Sequence, residues 1–353
     1  MEDDIKDTAY LKIQQIERLY PNSVIKKVSG SFQHTTTYEG NKSKAVDVLK
    51  DIKTNNRQKL FFDVRNGIAK EIRPVVWYYF ATEGITFDEV ITLCSHQLYN
   101  DYWTEAAECD SFQLDKKQEK TIEVDVVRMF PEGYVDVFKR ADVRVRMRRI
   151  KRMYEHYYPN PGYFQGFGDI VTVFFVIFCE YYMGKLTVEN LEKTSEDVLK
   201  ITEAATYTLV VYLMNNVISK CPIQKEKIEF HPESLWRVVV TRLGKEDPDF
   251  ASNYDDNLIV KQQVYGLLVC FFARQLSVHN TCPIYDQLIS GTICKEANVF
   301  SGIVSLVVGF VKLVVSRGGN LDDLISFDKQ NKGFFKSVTP SDISALIASA
   351  WNY

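Results

Sequence analysis

Three side chains recur at intervals of three residues in one stretch of the chain: Ile122, Asp125 and Arg128. Side chains at this spacing share one face of a helix. Pro131 disfavours helix at the residue before it, so Arg128 is predicted near the end of a helix. From there it can project its guanidinium group, a planar fork of charged donors, and Asp125 is close enough to orient it. The alternative is a surface ion pair worth about 0–1 kcal/mol.

A second segment places a glutamine between a turn and an apolar stretch. Gln165 lies in Tyr163-Phe164-Gln165-Gly166, after the turn-rich residues 159–162. The apolar stretch that begins at Ile170 is predicted as a buried helix. Gln165 is therefore placed to face outward on a fixed backbone. The alternative interpretation is a helix cap or a solvated loop residue.

Composition favours a chain with a large core and no nucleic-acid partner. Hydrophobic residues make up 46% of the 353 residues, and aromatic residues 13%, so the chain can bury a sizeable core. The net charge of −3 gives no electrostatic reason to bind nucleic acid. The seven cysteines are odd in number and contain no C-x-x-C pair, which disfavours both zinc sites and a disulfide framework. A reducing, cytosolic compartment fits best.

Several common enzyme signatures are absent from the sequence. There is no G-x-x-x-x-G-K-[ST] loop, no H-E-x-x-H and no G-x-S-x-G. The glycine-rich residues 162–168 lack the order of a dinucleotide fingerprint. The five histidines are scattered without ligand spacing, so no metal site is predicted.

From about residue 60 onward, apolar residues recur at helical spacing, and strand-like alternation is scarce. The predicted fold is all-α, a single large multi-helix domain over residues 57–350 after a polar N-terminal extension over residues 1–56. Neither Ile170–Cys179 nor Ile303–Val315 offers the roughly 20 apolar residues of a membrane span. Other predicted helices are Ile72–Phe80, Thr86–Leu98, Val143–Tyr157, Ala205–Val217, Val264–Leu276, Asn298–Ser316 and Ser341–Trp351.

Together these segments resemble the TBC-domain family of Rab GTPase-activating proteins. That family is marked by an I-x-x-D-x-x-R motif, complete here as Ile122, Asp125 and Arg128, and by a Y-x-Q motif, complete as Tyr163 and Gln165. Its opening R-x-x-x-W element and its later segments extend the resemblance over roughly residues 60–350. The opening element is matched by Arg73 and Trp77. The departures are Met129 for threonine, Gly168 for Asn or Ser, Gln275 for glutamate and Tyr285 for tryptophan.

The resemblance implies an all-α fold with two helical lobes and an activity exerted on a Rab-type GTPase in its GTP state. Arg128 would be an arginine finger and Gln165 a glutamine finger that holds the water. Asp125 would orient Arg128, and Tyr163 would support the loop. Apart from the resemblance, we expect Arg73 to help order this region through a buried ion pair. Mg²⁺ and GTP belong to the partner, so no cofactor and no independent catalytic activity are expected.

Two alternatives to a catalytic activator stay open. The chain can be a catalytically silent TBC-fold scaffold or Rab effector, or an unrelated all-α interaction protein.

The basic run over residues 139–152 is interpreted either as a solvated helix face or as a surface attracted to an acidic GTPase or to membrane headgroups. A cytoplasmic location is expected, and peripheral association with endomembranes through partners is left open.

Overall fold

The computed structural model describes residues 7, 11, 14, 45–64, 67–159, 163–164, 166–218, 232–246, 266–267, 270–291, 299–317 and 337–350. No β-strand occurs in these ranges, and the predicted all-α class is confirmed. The first helices are α1 (Ala45–Lys53), α2 (Arg57–Val64), α3 (Arg73–Ala81), α4 (Phe87–Ile91), α5 (His96–Ala107), α6 (Lys116–Val127), α7 (Val135–Phe138) and α8 (Ala141–Tyr157). Those that follow are α9 (Phe167–Met183), α10 (Val188–Lys193), α11 (Glu196–Leu213), α12 (Pro232–Glu246), α13 (Val278–Gly291), α14 (Val299–Ser316) and α15 (Pro340–Ala350).

Helix α9 is the centre of the core. Almost every side chain from Phe167 to Cys179 is buried, because α9 packs against α11, α13, α3 and α8. A helix that is apolar on all sides needs such cover. The ring of Phe174 lies 5.5 Å from that of Trp77 and 5.4 Å from that of Tyr285, measured between centroids. Helices α3 and α13, which are far apart in the sequence, therefore meet on α9.

The predicted helix over Thr86–Leu98 is two helices in the structure. Thr86 caps α4 as predicted, in a reciprocal capping box with Glu89. The chain then leaves the helix at Leu93, whose φ of 50° lies in the left-handed region. Ser95 starts α5 by accepting a hydrogen bond from the Leu98 backbone N–H. Apolar spacing alone conceals this break.

The predicted helix over Val264–Leu276 is confirmed at residues 266–267 and is wrong from residue 270 onward. Residues 270–275 form turns, and both Phe271 and Phe272 have positive φ, 44° and 65°. Their side chains are nevertheless buried. The apolar residues of this segment follow helical spacing because they are buried, but the backbone of residues 270–275 forms turns.

Helix α1 lies before residue 57 and contributes Val48, Leu49 and Ile52 to the same core cluster as α9. The domain boundary at residue 56 stays a prediction. No helix in the described ranges is both long and apolar enough to cross a membrane.

Candidate functional site

Arg128 lies at the C-terminal end of α6, as the sequence predicts. Asp115 caps the beginning of this helix by accepting hydrogen bonds from the backbone N–H groups of Lys117 and Gln118. Arg128 is the C-terminal cap residue, and its backbone N–H donates to the Asp125 carbonyl at 3.2 Å. Its side chain is exposed and forms no ion pair or hydrogen bond with the described part of the chain. The guanidinium group is thus available to a partner.

Buried side chains hold the turn that carries Arg128. Ile122, on the same helix, is fully buried, and Met129 is buried directly after Arg128. Met129 was noted as a departure from the family, and it belongs to the main core cluster. Because Arg128 lies between these two buried residues, its backbone is held in place while its charge stays exposed. Val127, by contrast, is exposed beside the arginine.

Among the residues that the structure describes, one hydrogen bond joins the two motif segments. The Tyr163 hydroxyl donates to Asp125 Oδ2 at 2.5 Å, across 38 residues of sequence. No hydrogen bond or ion pair among the described residues joins the Asp125 carboxylate to the Arg128 side chain. Asp125 therefore does not hold the guanidinium in this arrangement, and the expected orienting contact is replaced by a contact to the second motif.

Tyr163 is buried and firmly placed. Its backbone N–H donates to the Glu155 carboxylate, and its ring lies 5.5 Å from that of Phe167, between centroids. Burial raises the pKa of the Tyr163 hydroxyl well above its ordinary value, and the neighbouring Asp125 carboxylate raises it further. The hydroxyl consequently keeps its proton and remains a donor to Asp125.

Gln165 lies outside the described residues. The chain resumes at Gly166, whose φ of 112° is strained for any residue with a Cβ. Gly166 precedes the first residue of α9, as the predicted buried helix requires. The Asp169 carboxylate, in the first turn of α9, pairs with Arg274 at 2.7 Å from Nη2.

A further side chain, which no motif indicates, lies beneath both segments. Lys151 of α8 is 0% exposed, and its Nζ has no hydrogen-bond partner in the described structure. Nζ lies 5.6 Å from the centroid of the Tyr163 ring. Burial lowers the pKa of Lys151 to about 8 against the opposing effect of nearby carboxylates. The sequence signal is a lysine on the apolar face of α8, between Met147 and Tyr154.

Arg73 and Trp77 form a buried cluster with Asp286 of α13. The Arg73 Nε lies 2.9 Å from Asp286 Oδ1, and Nη2 lies 3.2 Å from Oδ2. The Trp77 indole N–H donates to Oδ1 at 2.8 Å. A buried ion pair for Arg73 is therefore present as expected. Its partner, 213 residues away, is not indicated by spacing.

Basic residues of the run over residues 139–152 form ion pairs within the fold. Interpreting it as a solvated face is wrong for Arg146, Lys151 and Arg152, which are buried. The run forms ion pairs as follows: Arg146 and Arg149 with Glu203, Arg148 with Glu123, Arg152 with Glu119, and Arg140 with Asp142 and Glu192. Within the described ranges, no group of three or more His, Cys, Asp or Glu residues is arranged to hold a metal ion.

Comparison with known proteins gives consistent matches. A family model of the Rab-GTPase-TBC domain matches residues 70–308. TBC1 domain family member 22B of Homo sapiens is 26% identical over 225 residues, which cover 62% of this chain and 43% of that protein. The GTPase-activating protein GYP1 of Saccharomyces cerevisiae is 27% identical over 269 residues, which cover 73% and 41%. The chain thus spans less than half the length of these relatives.

Solved structures show the same fold. The Ypt/Rab-GAP domain of Gyp1p superimposes with a TM-score of 0.67 at 20% identity, covering 89% of this chain and 98% of that one. The Chlamydomonas flagellar RabGAP TBC domain gives a TM-score of 0.54 at 13% identity, covering 100% and 96%. At these identities the likeness concerns the fold. Because the family model matches more than half of its residues, the chain belongs to the Rab-GTPase-TBC domain family.

Proposed function

We propose that this protein is a GTPase-activating protein for a Rab-type small GTPase in its GTP state. The observation that carries the proposal is the joining of the two motifs by the Tyr163–Asp125 hydrogen bond, beside an Arg128 side chain that is exposed and unpaired within the described residues. Membership of the Rab-GTPase-TBC family and the activity named for the yeast relative GYP1 support it.

Arg128 would act as an arginine finger. Hydrolysis of GTP on a small GTPase is slow because charge develops on the transferring phosphoryl oxygens and because the attacking water is poorly held. A guanidinium supplied in trans stabilises that charge and is worth on the order of 10³–10⁵ in rate. Lysine lacks the planar fork and would not replace it. Because Arg128 has no ion-pair partner among the described residues, no such pair must break before it acts.

Gln165 would act as a glutamine finger that positions the attacking water. Support comes from its neighbours, since Tyr163 is fixed by Asp125 and Gly166 begins the approach to the buried helix α9. Mg²⁺ and GTP would be carried by the GTPase, and this chain would need no cofactor. Its place of action would be cytoplasmic, with contact to endomembranes through its partners.

The test is single-turnover hydrolysis by a panel of Rab GTPases loaded with GTP, with and without this protein. At least one Rab should be strongly stimulated. Arg128→Lys should lose most of that stimulation, and Arg317→Lys, an exposed arginine at the end of α14, should lose none. Stimulation by Arg128→Lys within about threefold of the wild type would remove the finger assignment.

Gln165 is tested with a Rab whose own switch glutamine is changed to leucine. If Gln165 holds the water in trans, this Rab still responds to the wild-type protein, and Gln165→Ala loses stimulation on the unaltered Rab. Losses from Arg128→Ala and Gln165→Ala should not add, because both act on one transition state. Binding of GTP-loaded Rab without any acceleration would indicate the alternative, a catalytically silent scaffold or effector.

A further inference from the structure

The environment of Lys151 is unusual for a lysine. Its side chain is completely buried, and the ammonium group has no hydrogen-bond partner in the described ranges. Buried charges in proteins are normally paired, because transfer out of water is costly. A long cationic side chain in such a place lowers the stability of the fold.

The position of this ammonium group connects the two motif segments. A Cβ atom added at Gly168 would lie 2.9 Å from Lys151 Nζ and 3.6 Å from Met129 Cγ. Met129 directly follows Arg128. On the other side, Nζ lies 5.6 Å from the centroid of the Tyr163 ring, a distance at which a cation is attracted to the ring. Lys151 therefore contacts the surroundings of both proposed fingers.

Gly168 makes room for this lysine. Because Gly168 is the second residue of α9, its backbone is helical and tolerates alanine, so only the space above its Cα requires glycine. The same residue was noted as a departure from the family. Its small size and the buried lysine are explained together, since any side chain at position 168 must displace Nζ.

Three acidic residues favour the charge of Lys151 without forming a hydrogen bond to it. Asp125 and Glu123 of α6 and Asp169 of α9 all favour the protonated amine, although desolvation outweighs them. Of these, Asp125 is engaged by Tyr163 and Asp169 by Arg274. The ammonium group thus lies between carboxylates that are already hydrogen-bonded by other side chains.

We propose that Lys151 is a positioning residue, whose ammonium group holds Tyr163 and the Met129 turn in the arrangement that presents Arg128. The proposal rests on the proposed function and names a further residue for it. Protonated Lys151 attracts the face of Tyr163 and the carboxylates of Asp125 and Asp169, and its Nζ lies beside Gly168, where Met129 also packs. The charge lowers the stability of the fold, but it preorganises the site.

The test compares Lys151→Met with the wild-type protein. Methionine fills similar space without charge, so the thermal midpoint should rise, by roughly 2–4 °C. The maximal stimulated rate should fall by roughly 10–100-fold, because misplacement of a finger by about 1 Å has such effects. The concentration of protein that gives half the maximal rate should change little. A variant that is more stable and equally active would overturn the proposal.

The pH profile separates a positioning role from simple packing. Stimulation by the wild-type protein should decline above about pH 8 as Lys151 loses its proton. Lys151→Met should show no such step, with the intrinsic rate of the Rab measured at every pH as the reference. The stability effect has the opposite sign: between about pH 8 and 10.5 only the unfolded chain keeps the proton, so stability rises with pH there. Identical activity profiles for the two proteins would contradict the proposal.

Gly168→Ala provides a second, independent variant. It should lower stimulation by displacing Nζ in the wild-type background but add little loss to Lys151→Met. Equal losses in both backgrounds would show that Gly168 does not serve Lys151.

A measurement without any Rab distinguishes this proposal from the proposed function. In protein labelled with [¹³C]tyrosine, the Tyr163 ring resonance, assigned with Tyr163→Phe, should shift with a midpoint near pH 8 and be insensitive to pH in Lys151→Met. A titrating resonance in a protein that stimulates no Rab would reject the proposed function alone. A resonance that does not titrate would reject the contact with Lys151, whatever the activity.

Discussion

At the residue scale, the Tyr163 hydroxyl links the two motifs through Asp125. We predict that Tyr163→Phe keeps the ring packing but loses this bond. A hydrogen bond to a charged group contributes about 1.5–3 kcal/mol, so the free energy of unfolding should fall by about that amount in urea titrations. Stimulated hydrolysis should fall as well, since the proposed finger segments are no longer tied together.

The matched control is Tyr157→Phe on α8. Tyr157 is 40% exposed, and its hydroxyl forms no hydrogen bond in the described ranges, so stability should change by about 0.5 kcal/mol or less. If Tyr163→Phe behaved like this control in both measurements, the bond to Asp125 would be incidental to the site.

Sequence reasoning at this scale succeeded where a local rule applied. Pro131 ends helix formation near Arg128, so the exposed end of α6 could be predicted. The partner of Asp125 could not, because proximity in sequence favoured Arg128 while the contact is made by Tyr163. The burial of Lys151 could not be predicted, because spacing within the basic run over residues 139–152 does not indicate which of its residues is desolvated.

At the scale of the element, α6 ends in an exposed apolar residue beside its arginine. Val127 is 51% exposed, and a GTPase that receives Arg128 must cover it. We predict that Val127→Asp raises the protein concentration giving half-maximal stimulation by roughly tenfold, about 1.4 kcal/mol, because a carboxylate is desolvated on docking. The maximal rate should change little.

Val238→Asp on α12 is the control for this effect. Val238 is 41% exposed and belongs to a different helix, so this variant should match the wild-type protein in titrations of stimulated hydrolysis. Equal effects of the two aspartates would point to a general consequence of added negative charge and not to docking at the end of α6.

Helices were predicted well where residue chemistry marks their ends. The run from Asn298 to Ser316 became α14 (Val299–Ser316), and the apolar stretch before Cys179 became part of α9. The failures have a common cause, positive φ at apolar residues. Leu93 and Phe272 leave the helix although they continue its apolar pattern. Tertiary burial maintains such conformations, and a pattern of apolar residues does not encode them.

At the scale of the whole molecule, Arg73 and Asp286 connect α3 to α13. Removing one partner leaves the other as a buried, uncompensated charge, which costs about 3–5 kcal/mol. We predict this loss in the free energy of unfolding for Arg73→Ala and for Asp286→Ala, measured in urea. The double variant should lose less than the sum of the two, because they share one interaction.

Lys193→Ala is the matched control for an ion pair in water. Lys193 and Glu189 are 70% and 74% exposed at their side chains, and removal of such a pair changes stability by about 0.5 kcal/mol or less. A loss from Arg73→Ala as small as this would mean that water reaches Asp286 when its partner is removed.

The 213 residues between Arg73 and Asp286 also determine how long the nascent chain lacks the contact between them. At a synthesis rate of about 5–20 residues per second, Arg73 and Trp77 leave the ribosome about 10–40 s before their common acceptor does. During that interval the Arg73 guanidinium and the Trp77 indole lack the carboxylate that binds both of them in the folded chain. Products that terminate before residue 286 would lack the carboxylate that binds both Arg73 and Trp77, so we expect them to be less stable than the complete fold.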